Sequence, residues 1–206
     1  MFTRTCKWFC ALSALLLAGC DGAFDGFNVT RTAPERIELP DGLVVSGSRG
    51  WCVDTETTQT AAETSVVVLG SCAAIANNAR APRPDVPGVV TVSVDSSGGA
   101  VPSVRQLDDF LSSEGGRAAL ARDGSAESVR ILERRREDNM LVVRVVDRSL
   151  PAAAGAAADY WRALFGIGGR FVTVSLTGSR ERPIDSADGY ETLVAQVGEI
   201  RASNIR

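Results

Sequence analysis

The chain has 206 residues, 22 basic and 25 acidic side chains, a formal net charge of −3 and no histidine. Imidazole is therefore excluded as a base or a metal ligand, and the mildly acidic balance makes a poor partner for nucleic acid or anionic head groups. Lys7 is the only lysine, so a Schiff base or a Walker-type phosphate contact has no residue to stand on beyond the first turn of the chain.

From the start, Arg4 and Lys7 form a short positive region, Trp8 to Leu17 is apolar, and small residues follow. The apolar run is shorter than the ~20 residues that a spanning helix requires. Leu17-Ala18-Gly19-Cys20 closes it. This stretch resembles the lipobox of bacterial lipoproteins. The resemblance implies cleavage before Cys20, lipidation of Cys20, and a body held at the membrane by two or three acyl chains, which suffice for stable anchoring. An ordinary leader cut nearby is the competing reading. With residues 1–19 removed, basic residues fall to 20 against 25 acidic ones and net charge moves to −5. Asp21 after the lipidated cysteine resembles the signal that retains enterobacterial lipoproteins in the inner membrane; inner and outer membrane both stay open.

Cys6 and Cys10 leave with the leader, so the folded body keeps Cys52 and Cys72. An even pair in an oxidising compartment predicts a disulfide, worth roughly 3 kcal/mol for a loop of about 20 residues. Two free thiols or half a metal site is the alternative, although no histidine or further cysteine completes a zinc site.

Residues 20–34 are rich in glycine and threonine and read as a tether; 35–206 read as one folded unit. Ile37 to Leu39 and Leu43 to Ser46 flank Pro40-Asp41-Gly42, a hairpin signal. Trp51 to Val53 is a short strand, and the β-branched run Ser65 to Leu69 suits a buried central strand. Residues 77–88 read as a loop, and Val90, Val92 and Val94 alternate with polar residues as a half-buried strand does.

The period then changes. Ser103 with Gln106 three residues on has the capping-box form, and Val104, Leu107, Phe110 and Leu111 share a helical face. Gly115-Gly116 is expected to break or kink that helix. Asp108-Asp109 read as solvated positions on its exterior. Ser128 to Arg135 and Met140 to Val146 form a hairpin across Glu137-Asp138-Asn139, with Arg134-Arg135-Arg136 a solubilising mixed-charge tip. Gly166-Ile167-Gly168-Gly169 reads as a turn between strands, not a phosphate loop, because no lysine and no helix follows. Asp188 with Glu191 is expected to cap a last helix whose Tyr190, Leu193, Val194, Val197 and Ile200 share a face.

The order of elements predicts an α+β fold: one mostly antiparallel sheet with two or three helices packed on it. That order is similar to the small sandwich of the Mog1/PsbP type. The GWCVD, VVVLGSC and YWRALFGIGGRFVTVSLTG segments also resemble an uncharacterised family of alphaproteobacterial lipoproteins.

Functionally, the expectation is a lipid-anchored envelope lipoprotein facing the periplasm, non-catalytic, with no cofactor, metal or nucleotide. It would act by binding an envelope protein partner or assisting an assembly. The alternative is a small-ligand module with a groove near Trp51, Tyr160 and Trp161, aromatics that otherwise belong to a core. An enzyme would have to work with Asp, Glu, Ser, Tyr or Arg alone.

Overall fold

A computed structural model describes residues 30–149 and 155–205. The leader, the lipobox, Cys20 and most of the tether lie outside the described residues. The fold is α+β. A small hairpin, β1 (Arg36–Glu38) with β2 (Val44–Ser46), precedes a seven-stranded antiparallel sheet. Its strands are β3 (Trp51–Val53), β4 (Thr64–Ser71), β5 (Val89–Asp95), β6 (Val129–Glu137), β7 (Met140–Asp147), β8 (Ala156–Ile167) and β9 (Arg170–Ser179). They lie in the order β3-β4-β5-β9-β8-β7-β6.

Alternation of side chains along each strand decides which residues meet. Val90, Val92 and Val94 are fully buried on one face of β5, whereas Thr91 and Ser93 stand half-buried on the other. In register, Val92 faces Val174 and Thr91 faces Ser175. β4 is not central, as its apolar run suggested, but one strand in from the β3 edge. Its burial comes from the layer above it and not from its rank in the sheet.

That layer is helix α4 (Ser186–Ala202) with the β1–β2 hairpin, and together they cover the Val90 face. Leu193, Val197 and Ile200 enter the core with Trp161, Phe165 and Val174, each aliphatic side chain contributing about 1.5–3 kcal/mol of burial. The amide ends of Asn204 and Gln196 act as extra strand partners. Asn204 Nδ2 donates to the Val44 carbonyl at 2.7 Å and its Oδ1 accepts from the Val44 amide at 2.9 Å. Gln196 does the same for the Ser46 carbonyl (2.6 Å) and the Ser48 amide (2.9 Å). The cap of α4 is Asp185, whose Oδ1 accepts from the Ala187 amide; Asp188, expected to be the cap, lies three residues after it, inside the first turn.

The opposite face is covered over its β6–β8 half by α2 (Val104–Ser112) and α3 (Glu114–Leu120), which bury Leu107, Leu111 and Leu120 against Leu141, Val143 and Tyr160. β7 is consequently buried on both faces. The capping box at Ser103 is present. The break after α2 falls at Ser113, whose hydroxyl accepts from the Gly116 amide at 3.0 Å, and both glycines lie inside α3. Gly116 permits that geometry: a Cβ there would stand 1.9 Å from the Phe110 carbonyl oxygen.

Cys52 and Cys72 form a disulfide with Cα atoms 4.8 Å apart, fastening β3 to the one-turn helix α1 (Cys72–Ile75) that follows β4. Among the described residues no helix is long and apolar enough to cross a membrane.

Candidate functional site

Tyr160 and Trp161 are neighbours on β8 and therefore point to opposite faces of the sheet. Trp161, 2% exposed, lies under α4 with its ring 5.9 Å from that of Tyr190. Tyr160, 5% exposed, lies under α3 and donates its hydroxyl to the Leu120 carbonyl at 2.7 Å. Burial pushes the Tyr160 phenol above its ordinary pKa. Trp51 is 2% exposed and borders a surface depression of about 440 Å³ with Arg49, Asp85, Asp188 and Glu191. The three aromatics thus do not converge on one groove. They are core residues divided between two layers.

The candidate carboxylates are engaged in holding elements together. Asp108 is buried, not solvated: it accepts from Arg134 at 2.9 Å and from Arg136, which ties α2 to β6. The arginine cluster is in that respect a clamp and not a loose tip. Burial alone would raise Asp108, but the Arg136 hydrogen bond and the charges of Arg134 and Arg136 hold it below the usual carboxylate value. On the other face of β6, Glu133 meets Arg144 at 3.3 Å and Ser186, and Glu137 accepts from the Tyr190 hydroxyl at 2.6 Å. The edge strand is therefore held from both sides. Asp147 is buried with the Ser149 amide at 2.8 Å and the Arg122 amide at 3.0 Å. Groups so fixed in the ionised form are poor general acids near neutral pH. Among the described residues no three His, Cys, Asp or Glu side chains are grouped to hold a metal ion.

One concave surface has a different character. Where α2 and α3 stop short of covering the sheet, an apolar groove of about 490 Å³ opens between Leu107, Phe110 and Leu120 on the helices and Leu164 and Phe171 on the strands. Phe110 is 49% exposed at its rim. The helical pattern had assigned Phe110 to the core face, and it does lie on that face, but beyond the point where the sheet below is filled. Arg162 and Thr173 line the groove where it meets the open, hydroxyl-bearing half of the sheet. Arg162 Nε donates to Ser175 Oγ at 2.9 Å, and its guanidinium lies 4.9 Å from the Tyr160 ring centroid. Among the described residues it has no carboxylate partner. Sequence reasoning missed this site. Its one local signal was an apolar stripe on α2 wider than Leu107 and Leu111 alone require.

No family model matches the chain, and no curated protein matches it significantly.

Proposed function

We propose that the protein is a lipid-anchored lipoprotein of the cell envelope whose body, facing the periplasm, acts by binding and not by catalysis. The observation that carries the binding reading is the α2–α3 groove: an open apolar hollow, within the roughly 300–1,000 Å³ of small-ligand sites, with a few polar side chains, Arg162 among them, in its lining. The ionisable groups elsewhere support it, since the perturbed carboxylates are engaged in ion pairs and turns. The anchor and the compartment rest on the lipobox-like Leu17 to Cys20 and on the disulfide, which suits an oxidising compartment. Of the two classes the sequence left open, the groove favours the ligand-binding module, at a place other than the Trp51 region.

The anchor is tested by feeding cells a labelled fatty acid. The wild-type protein is expected to take up the label and the Cys20→Ser protein to take up none; an unlabelled wild type would overturn the anchor. The binding reading is tested separately, through the groove.

A further inference from the structure

We propose that the α2–α3 groove takes a free long-chain fatty acid, its acyl chain along Leu107, Phe110, Leu164 and Phe171 and its carboxylate on Arg162. The inference rests on the binding reading above and names its ligand.

Three features of the groove argue for this occupant. Its walls are aliphatic and aromatic, which excludes a polar ligand as the main occupant. Its size suits one small molecule; a specific protein interface buries about 1,200–2,000 Å² in all, far more than such a hollow provides. Its lining includes a cation, Arg162, in a chain of net negative charge, and no described carboxylate pairs with that cation. Arg144 and Arg170, likewise half-buried, each hold a carboxylate. Arg162 has only the Ser175 hydroxyl and the face of Tyr160.

A neutral chain filling the groove would strip water from Arg162 without replacing it. An anionic end group replaces that water, and a planar carboxylate matches the planar guanidinium fork in two parallel hydrogen bonds. The register places the hydroxyls of Thr173 and Ser175 beside Leu164 and Arg162 on the adjacent strand, so further donors stand near the same end.

The test is photolabelling of the full-length protein in isolated membranes. Three probes carry a diazirine on the same acyl chain: the fatty acid, the matching alcohol, and a phosphatidylglycerol. Without metabolic activation none of them acylates Cys20, and peptide mapping separates any adduct there from one in the groove. The fatty acid is expected to label peptides from α2 and from β8–β9, at least tenfold more than the alcohol. Arg162→Gln should lose about tenfold of that yield. Phe110→Ser, at a half-exposed position and with an unchanged melting temperature, should lose a comparable part. Equal labelling by acid and alcohol, or full labelling of a folded Arg162→Gln protein, would overturn the fatty acid while leaving a binding groove. Equal labelling by the phosphatidylglycerol would assign the groove to membrane lipid instead. Absence of groove adducts from all three probes would remove both the ligand and the binding reading.

Discussion

Gly189 of α4 lies so close over Trp161 that a Cβ added to it would stand 2.3 Å from the indole Nε1. The same Nε1 is buried and has no hydrogen-bond partner among the described residues. Helix and sheet are thus brought together across an indole edge with no room between them.

Gly189→Ala should therefore destabilise the fold. The added methyl gains up to about 1 kcal/mol of helix propensity, but overpacking against a fully buried indole costs about 1–3 kcal/mol. The sign is checked by chemical denaturation, and a double-mutant cycle with Trp161→Phe checks the cause. Phenylalanine removes the N–H that meets the methyl, so the alanine penalty should shrink in that background. An undiminished penalty would place the strain elsewhere.

Loss of the Cys52–Cys72 bond should cost roughly 3 kcal/mol in the chain-entropy model for a separation of 20 residues. Cys52→Ser and Cys72→Ser should be about equally unstable, and the double variant no worse than either, because one substitution already removes the whole bond. Reductant should shift the unfolding midpoint of the wild type by the same amount and leave the variants where they are.

Acid should weaken the molecule through Asp108, Asp147 and Asp41, all held below their usual 3.8 in the folded state. At each, burial acts first and in the raising direction, and hydrogen bonds outweigh it, aided by Arg134 and Arg136 at Asp108, Arg122 at Asp147 and Arg170 at Asp41. A depressed folded-state pKa contributes stability that is complete above the unfolded value and lost as pH falls through the folded one. Stability should thus be level near neutrality and decline below about pH 4. Asp108→Asn should cost about 2 kcal/mol at pH 7 by weakening charge-assisted bonds and flatten part of the acid decline. Urea titrations at pH 7 and pH 3.5 distinguish the two components, and an unchanged acid decline would acquit Asp108.

Gln196→Leu keeps the volume of the side chain but leaves the Ser46 carbonyl and the Ser48 amide without their partner inside a site where Gln196 is fully buried. Orphaning each such group costs about 1–3 kcal/mol. Asn204→Leu, at a less buried position two residues beyond the end of α4, should cost less. Hydrogen exchange at the Ser48 amide should accelerate in the first variant and at the Val44 amide in the second.

What could be read in advance was what is local. The alternation of Val90, Val92 and Val94, the box at Ser103 and the turn at Asp138-Asn139 each depend on a few adjacent residues, and each formed as expected. The disulfide was legible because the lipobox resemblance sets Cys6, Cys10 and Cys20 aside and leaves Cys52 and Cys72 to pair. The burial of Asp108 is not legible locally, because its partners, Arg134 and Arg136, are 26 and 28 residues away and a carboxylate beside another on a helix shows nothing of what crosses it. Opposite orientations of Tyr160 and Trp161 were in principle readable once both were placed on one strand. The groove was not, since Phe110 obeys the same period as Leu107 and Leu111 and only the width of the sheet beneath decides which of them is covered.

The pairing of β5 with β9 also sets a timetable. Val89 meets Thr177 and Asp95 meets Phe171, so the middle of the sheet is sewn together from segments lying on either side of the α2–α3 excursion and the three strands β6, β7 and β8. Contacts so distant along the chain are slow to form, because closing the intervening loop precedes any gain from the ladder. A chain emerging N-terminus first carries the valine-rich edge of β5 unpaired until Arg170 to Ser179 arrive, and such an edge is a template for association with other chains. No chain ending before Arg170 offers β5 its second neighbour. A mutation in β9 would then be felt during biogenesis as well as in the stability of the finished core, where Val172, Val174 and Leu176 are fully buried.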